Sequence, residues 1–153
     1  MVGRVLELPK LVEELAPVRI GHARVVLTNG VFDLLHVGHL RYLRAARGLG
    51  DVLVVGVNSD DSVRALKPGR PLVAQDERAE LLAALDPVDY VTIFGEPTAD
   101  ALLRTLRPSV YVKGADYDAA TLPEAATAHE LGIELAFIPL VPGRSSSALA
   151  DRL

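Results

Sequence analysis

The chain has 153 residues, of which 50% are hydrophobic and 24% charged, so a disordered or linker-like protein is excluded and one domain with a sizeable core is expected. Cysteine is absent, which excludes disulfides, cysteine-ligated zinc and a thiol nucleophile. A net charge of −4 does not favour binding to nucleic acid, which needs a basic surface. No apolar stretch reaches the roughly 20 residues of a membrane span, and the N-terminus is unlike a signal peptide, so we expect a cytoplasmic protein with no membrane partner.

Hydrophobic periodicity predicts helices that alternate with strands along the whole chain. A short helix at 8–16, within an N-terminal helical extension (1–23), precedes a strand at 24–28. A helix at 36–49, a strand at 51–57 and a helix at 76–85 follow. The strand at 90–94 leads to a helix at 98–106, for which Thr98 is the expected N-cap. The remaining predictions are a strand at 109–112, a helix at 123–131, a strand at 133–138 and a last helix at 145–153.

The strands are continuously apolar, which is typical of a parallel sheet covered by helices on both faces. We therefore predict a single α/β domain over 1–153, with a doubly wound, five-stranded parallel sheet of Rossmann-like type. In such folds the ligand binds outside the carboxyl ends of the strands. The segments to inspect are 28–39, 58–71, 94–98, 113–118 and 139–147.

The segment TNGVFDLLHVGH, at 28–39, joins the first strand to the next helix and combines the features of a phosphate site. Asn29-Gly30 predicts a tight turn, and Gly30 permits a close backbone approach. His36 and His39 lie on one face of the first helical turn, where free N–H groups favour an anion, and Gly38 leaves room for it. The pattern is neither a P-loop nor a zinc helix, and without GxGxxG a nicotinamide dehydrogenase is not supported.

Other chemistry-bearing residues follow later strands. The three lysines, Lys10, Lys67 and Lys113, are a minority of the 16 basic residues, so a retained lysine after a strand is a candidate for function. Asp116 could contact a nucleotide or serve the fold. Hydroxyls and N–H groups at a helix start can hold phosphates, which makes a candidate of the run Gly143, Arg144, Ser145, Ser146, Ser147.

The sequence alone leaves the roles of three further residues open. Asp33 could orient a histidine, reach Mg²⁺ or be structural. A surface role for Arg70 is as plausible as a phosphate contact. Arg78 could contact a substrate phosphate or pair with an acid at a subunit contact. Nothing in the sequence explains Arg144.

NGVFDLLHVGH resembles the signature of the cytidylyltransferase-like nucleotidyltransferase superfamily. Downstream, the segments LGDVLVVGVNSDDSVRALK, RPLVAQDERAELLAALDPVDYV and VYVKGADY resemble the adenylyltransferases of ADP-heptose synthesis, which act on D-glycero-β-D-manno-heptose 1-phosphate. The resemblance covers about residues 24–147 and implies transfer of AMP from ATP to a sugar phosphate, with release of pyrophosphate. Positioning and charge stabilisation would supply most of the catalysis, because an ionised phosphate is already a nucleophile.

The resemblance also implies roles for individual residues. His36, His39 and Lys67 would be catalytic, and Arg78 and Lys113 would bind the sugar phosphate. The nucleotide would be bound by Gly30, Val31, Phe32, Gly38, Asp116, Gly143, Ser145, Ser146 and Ser147. Mg²⁺ would arrive with the triphosphate, since the sequence shows no obvious protein-built metal site. A homodimer is expected, as is a separate sugar kinase, because 153 residues leave no room for the kinase domain often fused to such enzymes.

Two other functions stay open. The first is a CTP-dependent transfer to glycerol 3-phosphate or a phosphoalcohol. Leu140 stands where such cytidylyltransferases carry an arginine, and VKGADY replaces a tryptophan-bearing loop, so ATP is favoured. The second is a non-catalytic nucleotide-binding module. The presence of His36, Gly38, His39 and Lys67 argues against it, because simple binding needs no cluster at the α-phosphate.

Overall fold

The computed structural model describes residues 3–139. The predicted helix at 145–153 lies outside these residues. So do five residues discussed above: Leu140, Gly143, Ser145, Ser146 and Ser147. Arg144 is also outside them. Within the described part of the chain, no helix is both long enough and apolar enough to cross a bilayer.

Six strands and six helices make up the described part of the chain. In chain order they are β1 (Arg4–Val5), α1 (Leu8–Ile20), β2 (Val25–Gly30), α2 (Val37–Arg47), β3 (Val52–Asn58), α3 (Asp60–Leu66), α4 (Gln75–Ala83), β4 (Tyr90–Phe94), α5 (Asp100–Leu106), β5 (Val110–Gly114), α6 (Ala125–Leu131) and β6 (Glu134–Ile138).

The strands form one parallel sheet in the order β1-β4-β3-β2-β5-β6. Thr28 of β2 pairs with Val55 of β3 on one side and with Val112 of β5 on the other. After β2, the strands β3 and β4 are added on one side of β2. The strands β5 and β6 are then added on its opposite side. The strand order therefore reverses between β2 and β5, and a ligand crevice is expected at their carboxyl ends.

Two hydrophobic cores cover the two faces of the sheet, as the continuously apolar strands require. One contains Leu11 and Leu15 of α1 with side chains of α5 and α6. The other contains Leu43 of α2 and Leu82 of α4. The doubly wound α/β fold is thus confirmed.

Over residues 3–139 the sheet has six strands, one more than the predicted five. Arg4–Val5 pairs in parallel with Tyr90 and Val91 at the edge of the sheet, so the N-terminal segment contributes a strand as well as a helix. A two-residue strand is too short to show any periodicity. Helix α1 also runs past its predicted end, through Pro17 to Ile20. Proline removes a single N–H bond near the end of this helix, and Gly21 and Ala23 still donate to its last carbonyls.

Three local predictions were also wrong. Asn29 and Gly30 are not a turn: they are the last residues of β2, paired with Gly56 and Val57. No helix was predicted at 60–66, but these residues form α3, which Ser59 caps by accepting the N–H of Ser62. Thr98 does not cap α5; its hydroxyl donates to Asp100.

Candidate active site

The two histidines of the 28–39 segment cap the N-terminus of α2. The Nδ1 atom of His36 accepts the backbone N–H of Gly38 at 3.0 Å. Reciprocally, Nδ1 of His39 accepts the backbone N–H of His36 at 3.3 Å. This is a capping box in which imidazoles replace the usual hydroxyl and carboxylate. The motif therefore forms the helix end at which an anion is favoured.

Because both Nδ1 atoms accept hydrogen bonds, each neutral ring carries its proton on Nε2. Nε2 of His36 is itself buried. Burial, with the charge of His36 as a smaller cause, lowers the pKa of His39 from 6.5 to about 4. At neutral pH His39 is thus an uncharged hydrogen-bond donor through Nε2–H, beside the positive end of the helix dipole.

Gly30 and Phe32 shape the turn between β2 and α2. Phe32 is buried and adopts a left-handed backbone, with φ of 51°. Its ring lies edge-on to His39, with the centroids 5.5 Å apart. A Cβ on Gly30 would stand 3.0 Å from this ring, so any other residue there would require the ring to shift by a few tenths of an ångström. The Phe32 ring is thereby held between the end of β2 and His39.

The structure gives Asp33 a definite role among those left open. Its carboxylate is buried and accepts the Nε–H of Arg70 at 2.6 Å. It also accepts the backbone N–H groups of Leu72 and Val73. Burial alone would raise the pKa of Asp33, but these backbone donors and Arg70 outweigh it and lower the pKa. Asp33 is therefore an ionised anchor for the 70–73 segment, and Arg70 points to Asp33.

Arg78 is completely buried on α4 and its guanidinium is surrounded by protein acceptors. It donates to the carbonyls of Val31 and Val73 at 2.7 and 2.8 Å. It also forms an ion pair with Asp60 at 2.8 Å. A guanidinium with no exposed surface is not open to a substrate phosphate in this conformation. Arg78 instead joins the turn after β2 to the start of α3 and to the 70–74 segment, and its acid partner lies within the chain.

Two polar side chains of β5 contact the end of β2 at the expected ligand crevice. Lys113, at the end of β5, donates to the backbone carbonyl of Asn29 at 3.2 Å. Tyr111 donates its hydroxyl to the side chain of Asn29. Burial lowers the pKa of Lys113, although Glu124 and Asp116 act in the opposite direction. Lys113 thus lies at the expected ligand edge, half-buried and beside the turn that carries Phe32.

Lys67 and Asp116 lie on exposed segments that follow β3 and β5. Lys67 is the C-terminal cap of α3, the helix that follows β3, and its backbone N–H donates to the carbonyl of Val63. Asp116 lies in the turn after β5. The structure therefore places His36, His39, Lys113 and Asp116 at the carboxyl ends of β2 and β5. Lys67 lies at the far end of α3, and its backbone carbonyl accepts the N–H of Arg70, the residue that contacts Asp33 in the turn after β2. The roles expected of Gly143 and Ser145–Ser147 fall outside the described residues.

Sequence reasoning missed Glu124 at this edge. The Glu124 carboxylate is buried and accepts the backbone N–H of Ala99 at 2.9 Å, at the start of α5. This acid thus contacts the N-cap residue of α5 from 25 residues away, and α5 has no side-chain cap hydrogen bond. An acid just before a helix start gave no signal for a partner so distant in the chain.

The described acidic and histidine side chains at this edge do not gather around a common point. In residues 3–139, no three His, Asp or Glu side chains cluster closely enough to hold a metal ion. Asp33, the acid nearest the histidines in sequence, is already engaged by Arg70 and two backbone N–H groups. The described side chains do not form a metal cage, and we treat Mg²⁺ below as a component of the triphosphate substrate.

Comparison with known proteins identifies the family. Residues 27–149 match the Cytidylyltransferase-like family. The bifunctional protein HldE of Syntrophotalea carbinolica is 51% identical over 130 residues, covering 84% of this chain and 26% of that protein. HldE of Helicobacter pylori is 44% identical over 151 residues, covering 98% of this chain and 31% of that protein. The chain thus spans about a quarter to a third of these relatives.

A solved structure agrees with this match. The lipopolysaccharide core biosynthesis protein of Thermoplasma volcanium superposes with a TM-score of 0.66 at 30% identity, covering 78% of this chain and 97% of that one. The histidine-capped helix lies at the carboxyl edge of a doubly wound parallel sheet, within the region that the family match covers. The chain belongs to the cytidylyltransferase-like family and is a nucleotidyltransferase.

Proposed function

We propose that this nucleotidyltransferase is an adenylyltransferase that moves AMP from ATP to a sugar phosphate, D-glycero-β-D-manno-heptose 1-phosphate, and releases pyrophosphate. The observation that carries the proposal is the reciprocal histidine cap on α2, which offers a triphosphate a helix N-terminus and a neutral imidazole donor at one point. The proposed choice of sugar depends on the resemblance of three long segments to heptose phosphate adenylyltransferases and on the similarity to the relatives named HldE.

The chemistry needs little from the protein beyond position and charge. A phosphate oxygen of the sugar attacks the α-phosphorus of ATP, the bond from the α-phosphorus to the bridging oxygen breaks, and pyrophosphate leaves with that oxygen. No general base is required, because the attacking phosphate is ionised at neutral pH. Catalysis then consists of aligning the two phosphates and stabilising the charge that develops between them.

Each candidate residue has a role in this proposal. His39 donates from Nε2 to the phosphate chain, and His36 holds the helix end that faces it. Lys67 adds positive charge from the end of α3, and Lys113 binds the sugar phosphate across the crevice. The backbone of Gly30, Val31 and Phe32 lines the nucleotide. Gly38, Asp116 and the run Gly143, Ser145, Ser146 and Ser147 are further proposed nucleotide contacts, and Mg²⁺ comes with the triphosphate and neutralises part of its charge.

Arg78 is better placed to support the site than to bind substrate. Its three partners include Val31, whose backbone the proposal assigns to the nucleotide, and Asp60 at the start of α3. Arg78 would thus align the nucleotide turn with the helix that ends at Lys67. We propose this positioning role in place of a direct phosphate contact.

The experiment is a pyrophosphate-release assay with Mg²⁺, in which ATP and CTP are each combined with the heptose 1-phosphate and with glycerol 3-phosphate. Release with ATP and the heptose phosphate alone is the expected result. Release with CTP would replace the proposed base and acceptor but keep the site. Nucleotide binding without turnover on any pair would contradict the adenylyltransferase proposal and favour a binding module.

The proposal extends to assembly and location. By resemblance, the enzyme is a cytoplasmic homodimer that receives its substrate from a sugar kinase. Sedimentation velocity at micromolar concentration tests the dimer, and a single monomeric species would contradict it.

A further inference from the structure

The Asp33 carboxylate is the most heavily bonded acid at the candidate site, and all its partners come from one distant segment. Its side chain has no exposed surface. Oδ2 accepts the Nε–H of Arg70 at 2.6 Å, and both oxygens accept the N–H of Leu72, at 2.9 and 3.0 Å. Oδ1 also accepts the N–H of Val73 at 2.9 Å. The donors are 37 to 40 residues further along the chain.

A buried carboxylate is unfavourable unless charged and polar partners replace its water, so this arrangement fixes two backbone segments together. One segment is the turn after β2, where Asp33 stands three residues before His36. The other is 70–73. We call this unit the Asp33–Arg70 clamp. Removing either partner leaves a buried charge or buried N–H groups without compensation.

The clamp continues along the backbone to Lys67. The N–H of Arg70 donates to the carbonyl of Lys67 at 3.1 Å, and the N–H of Lys67 donates to the carbonyl of Val63 at 2.8 Å. Lys67 therefore lies between the last turn of α3 and the clamp. Gly69, with φ of 82°, makes the turn between them in a conformation that other residues rarely adopt.

We propose that Asp33 and Arg70 are positioning residues, which fix the backbone of Lys67 relative to the histidine-capped end of α2. The inference rests on the proposed function, in which His39 and Lys67 act on the same phosphate chain. A lysine on an exposed loop could reach many positions, and the clamp selects among them before substrate binds. Asp33 acts through Lys67 and not as a ligand of Mg²⁺.

The test is a double-mutant cycle on kcat with Asp33→Asn, Lys67→Ala and the double variant. Asparagine has the same shape and can keep its oxygen towards the N–H groups of Leu72 and Val73, but its NH₂ group then faces the Nε–H of Arg70, so the ion pair of the clamp is lost. We expect Asp33→Asn to lower kcat by about 10- to 100-fold when Lys67 is present, and by less than about 3-fold when Lys67 is alanine. An equal loss in both backgrounds would overturn the proposal, because the loss would not pass through Lys67.

Two companion variants keep the test interpretable. Asp86→Asn, which breaks an exposed ion pair with Arg44, is the matched control and should leave kcat within about 2-fold. Arg70→Ala removes one arm of the clamp and leaves the backbone donors, so it serves in the same cycle if Asp33→Asn does not fold. The magnesium dependence of Asp33→Asn should match the wild type. A loss of activity that excess Mg²⁺ restores would make Asp33 a metal ligand and overturn the proposal.

A second readout separates this inference from the proposed function. Hydrogen exchange of the Leu72 and Val73 amides is expected to be at least about 10-fold faster in Asp33→Ala, which removes both acceptor oxygens, than in the wild type, without any substrate. Unchanged exchange would overturn the clamp even if the enzyme turns over. Fast exchange together with no pyrophosphate release from any wild-type reaction would instead contradict the proposed function and leave the clamp as a structural unit.

Discussion

The imidazole of His39 accepts the backbone N–H of His36 through Nδ1, with the two ring centroids 4.1 Å apart. This contact caps the N-terminus of α2, and at the same time it leaves Nε2 as the donor atom of His39. The residue therefore combines a structural task, capping, with a proposed catalytic one. Substitutions that separate the two tasks are the most informative experiments on this site.

Replacing His39 tests its catalytic role. We expect His39→Ala to lower kcat by about 100- to 1,000-fold, the usual effect of losing one transition-state donor, with a much smaller loss of ATP affinity. His39→Asn keeps an oxygen that can accept the N–H of His36, so it should retain more stability but no more activity. Steady-state kinetics and calorimetric ATP binding measure the two effects. Equal losses of kcat and affinity would contradict a catalytic role, and His129→Ala, on the exposed face of α6, is the matched control.

The low pKa of His39 predicts a pH dependence of stability. In the native state this ring titrates at about 4, against 6.5 for an ordinary histidine. Between these pH values the unfolded state binds a proton that the native state does not, so the free energy of unfolding should fall as the pH is lowered from 6.5 towards 4. Urea unfolding at several pH values, compared with His39→Asn, isolates this contribution. A wild type and variant that lose stability in parallel would contradict the assignment.

Bound ATP should shift the same titration upward. A polyanion favours the charged imidazolium, so the pKa of His39 is expected to rise towards its ordinary value in the complex. Histidine NMR of the apo protein and of its complex with a non-hydrolysable ATP analogue gives both values. An unshifted resonance would mean that the triphosphate lies elsewhere.

Lys67 offers a fourth prediction. Lys67→Ala should lower kcat/KM by about 10- to 1,000-fold, because a positive charge beside the reacting phosphates is lost. Lys67→Arg should restore little, since a planar guanidinium differs in shape and reach from an ammonium group. Lys10→Ala, an exposed lysine on α1, is the control. Matching behaviour of the Lys67 and Lys10 variants would show that Lys67 is only a surface charge.

The buried contacts of Arg78 predict that replacing this residue lowers the free energy of unfolding. Arg78→Leu removes an ion pair and leaves the carbonyls of Val31 and Val73 without their donor, which should cost about 3–5 kcal/mol of the free energy of unfolding. Arg104→Ala breaks an exposed ion pair with Glu130 and should cost about 1 kcal/mol or less. Urea denaturation measures both. A similar small loss for the two variants would mean that the buried network contributes little.

The parts of this protein that depend on local pattern were predictable from sequence. The apolar runs of β2 and β3 and the helical spacing after His36 place the histidine motif at the carboxyl edge of a parallel sheet, where the structure has it. Helix α3 was not predicted, although Ser59 followed by two acids is a local signal typical of a helix N-terminus.

The contacts between distant segments were not predictable. Asp33 and Arg70 are 37 residues apart, and nothing in either neighbourhood indicates the other. For the same reason the contact between Glu124 and the start of α5 was missed, since a hydroxyl next to a helix, such as that of Thr98, is a local signal and a carboxylate 25 residues away is not. Pairing across loops emerges only when the sheet brings the strand ends together.

The left-handed backbone of Phe32 has a consequence for engineering this protein. A bulky residue at φ of 51° holds a conformation that costs about 1–3 kcal/mol, and glycine would adopt it freely. The aromatic ring of this residue is also the one that lies against His39. Removing the buried ring would cost about 3–5 kcal/mol and outweigh the relief of this strain, so a Phe32→Gly variant would lose both stability of the fold and the contact that supports His39.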